Sequence, residues 1–387
     1  MTSASPFPDP LAPGAFLLPG LVVVDATGAD AATFLQGQFT NDVIGAGAGR
    51  ACLSGYCTPK GRLLALPLVL ALPDGALRLL VPREIVESLL KRLRMFVMRA
   101  AVTFERRDDL HCLGAHVPDA DAAAALAQAV PGCPAVPFDA LEVMNGESGS
   151  AVVQVCRWHD AFLPMPCRRY LIVATTTELA RDDADGDTSW RHGDITAGVP
   201  RIGEATQEAF VPQMVNLQLV EGLSFRKGCY PGQEIVARMQ YLGTLKRHMR
   251  RFVVSDPDNG ANGDARVGGD GVVAGATLVT EADADAGRVV DAVRTYDGIE
   301  LLAVVKIGAD IAALRIGNAV LESRALPYTL PADAQADAAA DAQADAEADA
   351  AADAPANGRA NGRADAPADG PAMPADARET DDDEKTA

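Results

Sequence analysis

Aromatic side chains are scarce in this 387-residue chain, 5% of the total, and only two of them are tryptophan. A core with so few rings has to be filled by aliphatic side chains, and the 48% hydrophobic content is enough for two or three packed domains. Paired cysteines are lacking too. The seven stand at 52, 57, 112, 133, 156, 167 and 229, an odd number without the CxxC spacing of a zinc site. That distribution argues against a disulfide scaffold, assigns no metal site, and fits a reducing cytoplasm. The opening residues, MTSASPFPDPLAPGAFLLPG, are proline-rich and lack the basic start and apolar run of a secretory signal. Nor does any apolar run approach the roughly twenty residues of a membrane helix. The longest, from Leu63 to Leu72, is interrupted by Pro67, so no membrane partner is expected.

What is present reads as alternating strands and helices. LLALPLVLAL, the PDG turn at 73–75 and ALRLLV predict two buried strands joined by a turn. LVVVDATGADAATFLQGQFTNDV (21–43) predicts a strand, a turn at Thr27 and Gly28, and a short helix capped by Asp30. In EIVESLLKRLRMFVM (84–98), Ile85, Leu89, Leu93 and Phe96 fall on one face at helical spacing. VTFERR and YLIVAT predict further strands, and an alanine-rich helix is expected near 119–130. This mixture predicts an α+β domain. From about 251 the pattern changes to short strands between glycines and aspartates (RFVVSD, GATLVT, GRVVDAVRT, IELLAVVKI), predicting a small β-barrel that ends near 330.

Net charge is −19, of which −11 belongs to residues 331–387. There aspartates recur every fourth residue from Asp333 to Asp353, stacking like charges on one face of any helix. With almost nothing apolar to bury, this Ala/Asp-rich tail is expected to be disordered and solubilising.

The sharpest local signal is FRKGCYPGQEIVAR at 225–238. Cys229 follows Arg226 and Lys227, cations that favour thiolate when they face the sulfur. Gly228 and Gly232 flank Cys229 and Tyr230 and permit positive φ and close approach, while Pro231 presets the turn. Against this, a lone cysteine is commonly a small buried hydrophobe. Glu234 and Arg238 are spaced as a simple i,i+4 pair.

The segment FRKGCYPGQE resembles the KGCYxGQE signature of the YgfZ family, folate-binding proteins related to the glycine-cleavage aminomethyltransferases, with Pro231 at the variable position. FLQGQFTNDV (34–43), GYCTPKGRLLA (55–65), WRHGDITAGVPRIG (190–203), FVPQMVNLQLVEGLSF (210–225) and YLGTLKRHMRRF (241–252) resemble further family segments in the same order. The resemblance implies an aminomethyltransferase-like α+β fold. After a flexible start (1–19), two α/β segments (20–250) surround a folate cleft, followed by a C-terminal β-barrel (251–330) and the tail. It further implies tetrahydrofolate or a folate derivative as cofactor. The implied role is support of iron-sulfur cluster assembly or repair in client enzymes, one of which methylthiolates tRNA; the protein need not be an enzyme itself.

Carried over, Cys229 matches the family's essential cysteine, with Lys227 beside it as the other catalytic candidate. Tyr230, Gln233 and Glu234 match the motif, and Trp190 matches a tryptophan lining the folate site. A second family tryptophan falls near Leu21, whereas the remaining tryptophan here is Trp158. Residues 226–251 carry a net charge of +6, which suits an anionic partner, either the glutamate of folate met by Arg226 or a nucleic-acid phosphate. Two other functions compete. A one-carbon transferase needs a carboxylate near the transferred carbon, for which Asp42 is the candidate. A tRNA-binding module would use the basic stretch, although no single-strand aromatic platform accompanies it.

Overall fold

The computed structural model describes residues 14–331, apart from 46, 48, 131–132, 143–151, 164, 182–184, 244 and 256–270. The acidic tail and the first thirteen residues, expected to be flexible, lie outside the described residues.

The first sheet takes its shape from the LVVVDAT segment. Leu21–Thr27 lies between Leu77–Pro82 and Thr103–Arg106, and Leu68–Ala71 and Ala51–Leu53 extend the sheet, all antiparallel. Side chains alternate across a strand. Val22, Val24 and Ala26 pack on helices α1 (Ala31–Gln36) and α2 (Val86–Phe96), whereas Val23 enters a second core shared with the next sheet. Burial on both faces is why the strand reads as a continuous apolar run. Asp25 is the exception: buried, it receives two hydrogen bonds from Arg78 (2.8 and 2.9 Å) and one from Arg107 (2.7 Å).

Three local expectations change. Pro67 divides the apolar run into Leu63–Ala65, paired with Tyr56–Cys57, and Leu68–Ala71 in the main sheet, because proline cannot donate to a ladder. Asp30 does not cap α1; its carboxylate accepts from Ala101 N instead (2.7 Å). In α2 Ile85, Leu89 and Leu93 are buried, but Phe96 is 44% exposed at the helix's last residue.

The second sheet runs in the order Ala140–Glu142, Val152–Arg157, Pro166–Ala174, His111–Val117, Gly14–Leu17, Ala180–Arg181, with α3 (Ala120–Ala129, capped by Asp119) following its His111–Val117 strand. Residues 14–17, expected to belong to a flexible start, form a strand instead. Gly14–Leu17 pairs with both His111–Val117 and Ala180–Arg181, and Phe16 and Leu18 are fully buried. Four apolar residues are enough for a strand when both neighbours are supplied by distant segments.

Helix α4 (Gly186–Thr196, capped by Asp185) joins this region to a third, antiparallel sheet, ordered Thr277–Leu278, Gly287–Thr295, Gly298–Lys306, Arg247–Ser255, Glu322–Arg324. It is half of a barrel. Among the described residues its two edge strands do not pair with each other. The hairpin Arg315–Ile316/Ala319–Val320 is tied in through a single bridge, Val279 to Arg315. Helix α5 (Gln233–Tyr241) follows the cysteine motif. No helix among the described residues is long and apolar enough to cross a membrane.

Candidate functional site

The cysteine motif is built around a helix end. The last carbonyls of a helix have no intrahelical donor, and at the end of α1 the ammonium of Lys227 fills this role, donating to the carbonyls of Gln36 and Phe39. It is buried, and it stands 5.1 Å from the ring centroid of Tyr230. Burial lowers its pKa to about 8, opposed by the charges of Asp42 and Cys52. Lys227 is thus engaged away from solvent. The loop turns at Gly232, with φ of 83°, where an added Cβ would fall 2.7 Å from Gly61 Cα and N; here glycine is a packing requirement. Gln233 accepts a hydrogen bond from Tyr230 N (3.3 Å), and Glu234 pairs with Arg238 (2.8 Å) on the exposed face of α5. Gly228 has open space around it rather than a close neighbour.

Cys229 projects from this rigid base into solvent. It differs in that respect from Cys52, Cys57 and Cys112, which are buried thiols pushed up to about 12 by desolvation. All seven cysteines are free, and among the described residues no group of three or more His, Cys, Asp or Glu side chains is arranged to hold a metal.

Beside the motif lies a cleft of about 480 Å³ lined by Asn41, Asp42, Arg50, Cys52, Phe138, Gln218, Glu221, Ser224 and Arg226, among others. The segment Thr40–Asp42 forms one wall. Thr40 Oγ1 donates to Gly222 O (2.9 Å) and accepts from Gly55 N (2.6 Å), and Asn41 Nδ2 donates to Leu53 O (2.8 Å) and Glu221 O (2.6 Å). Asp42 Oδ1 accepts from Gln36 Nε2 (2.9 Å) and Gly45 N (2.8 Å). Phe138 and Glu221 both have left-handed backbone conformations, φ 66° and 56°, a costly state for non-glycine residues that gathers at functional sites. Gln218 Oε1 is buried without a hydrogen-bond partner. Neither the strain nor the orphan acceptor was legible in sequence. Of the expected motif contacts, Arg226 alone lines this cleft.

Trp190 lies elsewhere. It is 3% exposed on α4, with the guanidinium of Arg169 4.4 Å from its ring centroid and His116 stacked at 6.0 Å. Trp158 is its neighbour at 6.5 Å, so the structure brings both tryptophans together, a pairing that sequence reasoning missed. Trp158 Nε1 and Arg169 Nη2 both donate to Asp194 Oδ1 (2.8 and 2.6 Å). The cavity that Trp158, Trp190 and Asp194 line with Leu21, Leu53 and Leu80 is about 60 Å³, room for about two waters. The two spaces lie back to back: Phe138, at the wall of the larger, meets Trp158 edge-on at 5.6 Å.

Four of the seven cations of the basic stretch are engaged by other groups. Besides Lys227 and Arg238, Arg247 pairs with Asp285 (2.8 Å) and Arg251 with Glu300 (2.8 Å).

The sheets, the half-barrel and the helix that joins them define an aminomethyltransferase-like fold. The solved glycine cleavage system aminomethyltransferase T from Bartonella henselae has this fold, with a TM-score of 0.55, 15% identity, and coverage of 84% of this chain and 87% of that one. No protein-family model matches the chain. Among curated proteins it is 30% identical over 315 residues to the tRNA-modifying protein YgfZ of Klebsiella pneumoniae, covering 79% of this chain and 89% of that one. It is 29% identical to that of Edwardsiella ictaluri, covering 71% and 82%. The chain belongs to the YgfZ family.

Proposed function

We propose that this protein binds a reduced folate in the 480 Å³ cleft and, from the cytoplasm, supports tRNA modification by sustaining iron-sulfur enzymes that carry it out, with Cys229 as its working thiol. The cleft itself carries the reading. Its volume falls in the range of about 300–1,000 Å³ usual for small-molecule sites. Its unpartnered Gln218 Oε1 and the carboxylates of Asp42 and Glu221 are acceptors for the N–H groups of a pterin, and Arg226 and Arg50 are donors for the carboxylates of its glutamate. The 60 Å³ cavity is too small for a pterin. Trp190 therefore acts through Trp158 and Phe138, whose edge-on packing fixes the cleft wall. Tyr230, Gln233 and Lys227 set the loop that displays Cys229, and Glu234 steadies α5.

In a bacterial strain lacking its own YgfZ protein, wild type should restore methylthiolated tRNA nucleosides, whereas Cys229→Ala should not. Full restoration by Cys229→Ala would remove the thiol from the account.

A second reading, one-carbon transfer, rests on Asp42 lining the cleft. Release of the amine from an aminomethyl donor together with formation of methylenetetrahydrofolate, both lost in Asp42→Asn, would establish it.

A further inference from the structure

A cavity larger than the cleft lies on the opposite side of α4. It measures about 780 Å³ between this helix and the half-barrel. α4 turns Trp190 and Asp194 toward the inner cavity and Ser189, His192 and Thr196 toward this one. Apolar walls come from Phe162, Leu163, Leu326 and Pro327. The opposite wall is charged but largely committed. Glu300 Oε2 accepts from Arg251 Nε (2.9 Å), its other oxygen lies 3.4 Å from His192 Nε2, and Arg324 is paired with Glu322. Two groups remain. Arg294 has no carboxylate partner among the described residues, and Ser189 Oγ, on a residue 4% exposed, has no hydrogen-bond partner.

We propose that this cavity is a second ligand site, separate from the folate cleft, that takes a small aromatic carboxylate. An apolar volume of this size accepts a flat ring system. The planar fork of Arg294 matches one carboxylate in bidentate geometry. Asp297 at the rim and Glu300 within disfavour a dianion such as a phosphate monoester. Because α4 borders both this cavity and the tryptophan core, an occupant here sits against the reverse side of the helix that carries Trp190.

The test is calorimetric titration of the full chain with 2-naphthoate, with its neutral analogue 2-naphthamide, and with phenyl phosphate. Saturable naphthoate binding is expected, with the amide and the phosphate weaker. Arg294→Ala, at an exposed position that holds no structural partner, should weaken naphthoate about tenfold, and Gln218→Leu in the folate cleft should leave it unchanged. Absence of binding by wild type overturns the proposal. So does naphthoate binding that survives Arg294→Ala but is lost in Gln218→Leu, which places the probe in the folate cleft. Equal affinity for the amide overturns the carboxylate assignment.

Discussion

Single residues divide by burial into those that build the site and those that serve it. Cys229 is exposed and holds nothing in place, so Cys229→Ala should leave the thermal midpoint unchanged while abolishing complementation. A drop of several degrees would mean that the thiol is structural. Lys227→Ala strips the Gln36 and Phe39 carbonyls of their donor, a loss of about 1–3 kcal/mol, read as a lower urea midpoint; an unchanged midpoint would contradict the capping role. His159 provides a pH signature. Burial lowers its pKa from 6.5 to about 4, helped by the charge of Arg169. Between those values the unfolded chain binds a proton that the folded chain refuses, so stability present above pH 6.5 is lost as the pH falls toward 4. Urea midpoints at pH 7 and pH 5 should differ more for wild type than for His159→Gln; equal differences would reject the assignment. Sequence pattern revealed that Cys229, Lys227 and Tyr230 belong together, since they are adjacent in the chain. It did not reveal that the ammonium of Lys227 reaches a helix end some 190 residues earlier, because hydrogen-bond partners at that separation leave no local pattern.

At the scale of elements, α4 links the second sheet to the half-barrel. Its Asp194 carboxylate serves both Trp158 Nε1 and the fully buried guanidinium of Arg169, which in turn stacks on Trp190. Removing one member of such a pair leaves a buried charge uncompensated, and Asp194→Ala should therefore cost about 3–5 kcal/mol; a loss below about 1 kcal/mol would show the pair to be peripheral. Strands with strong β-branched or aliphatic runs, such as LVVVDAT and GRVVDAVRT, were legible from pattern alone. Three features were not. The strand Gly14–Leu17 is specified by its distant neighbours rather than by its own short sequence. Pro67 sends two halves of one apolar run to different sheets. Phe96 fits the helical stripe but falls at the end of α2, beyond the core that the stripe serves.

For the whole molecule, two spaces flank one tryptophan core: a polar cleft beside the cysteine motif and a mixed cavity beneath the half-barrel. The family motifs pointed to the cysteine loop and to the Thr40–Asp42 wall, but the cleft itself is made by tertiary contacts between residues 40–42, 138 and 218–226. Its left-handed Phe138 and Glu221 and its orphan Gln218 acceptor exist only once the chain has folded. Folate binding in the cleft is tested by calorimetric titration of wild type and Gln218→Leu with tetrahydrofolate under anaerobic conditions at matched salt. Removing the orphan acceptor leaves no partner unsatisfied, so the variant should fold as wild type does. Saturable binding by wild type, weakened about tenfold in Gln218→Leu, is the expected result. Binding that is absent from wild type, or equally tight in both, would rule this cleft out as the folate site.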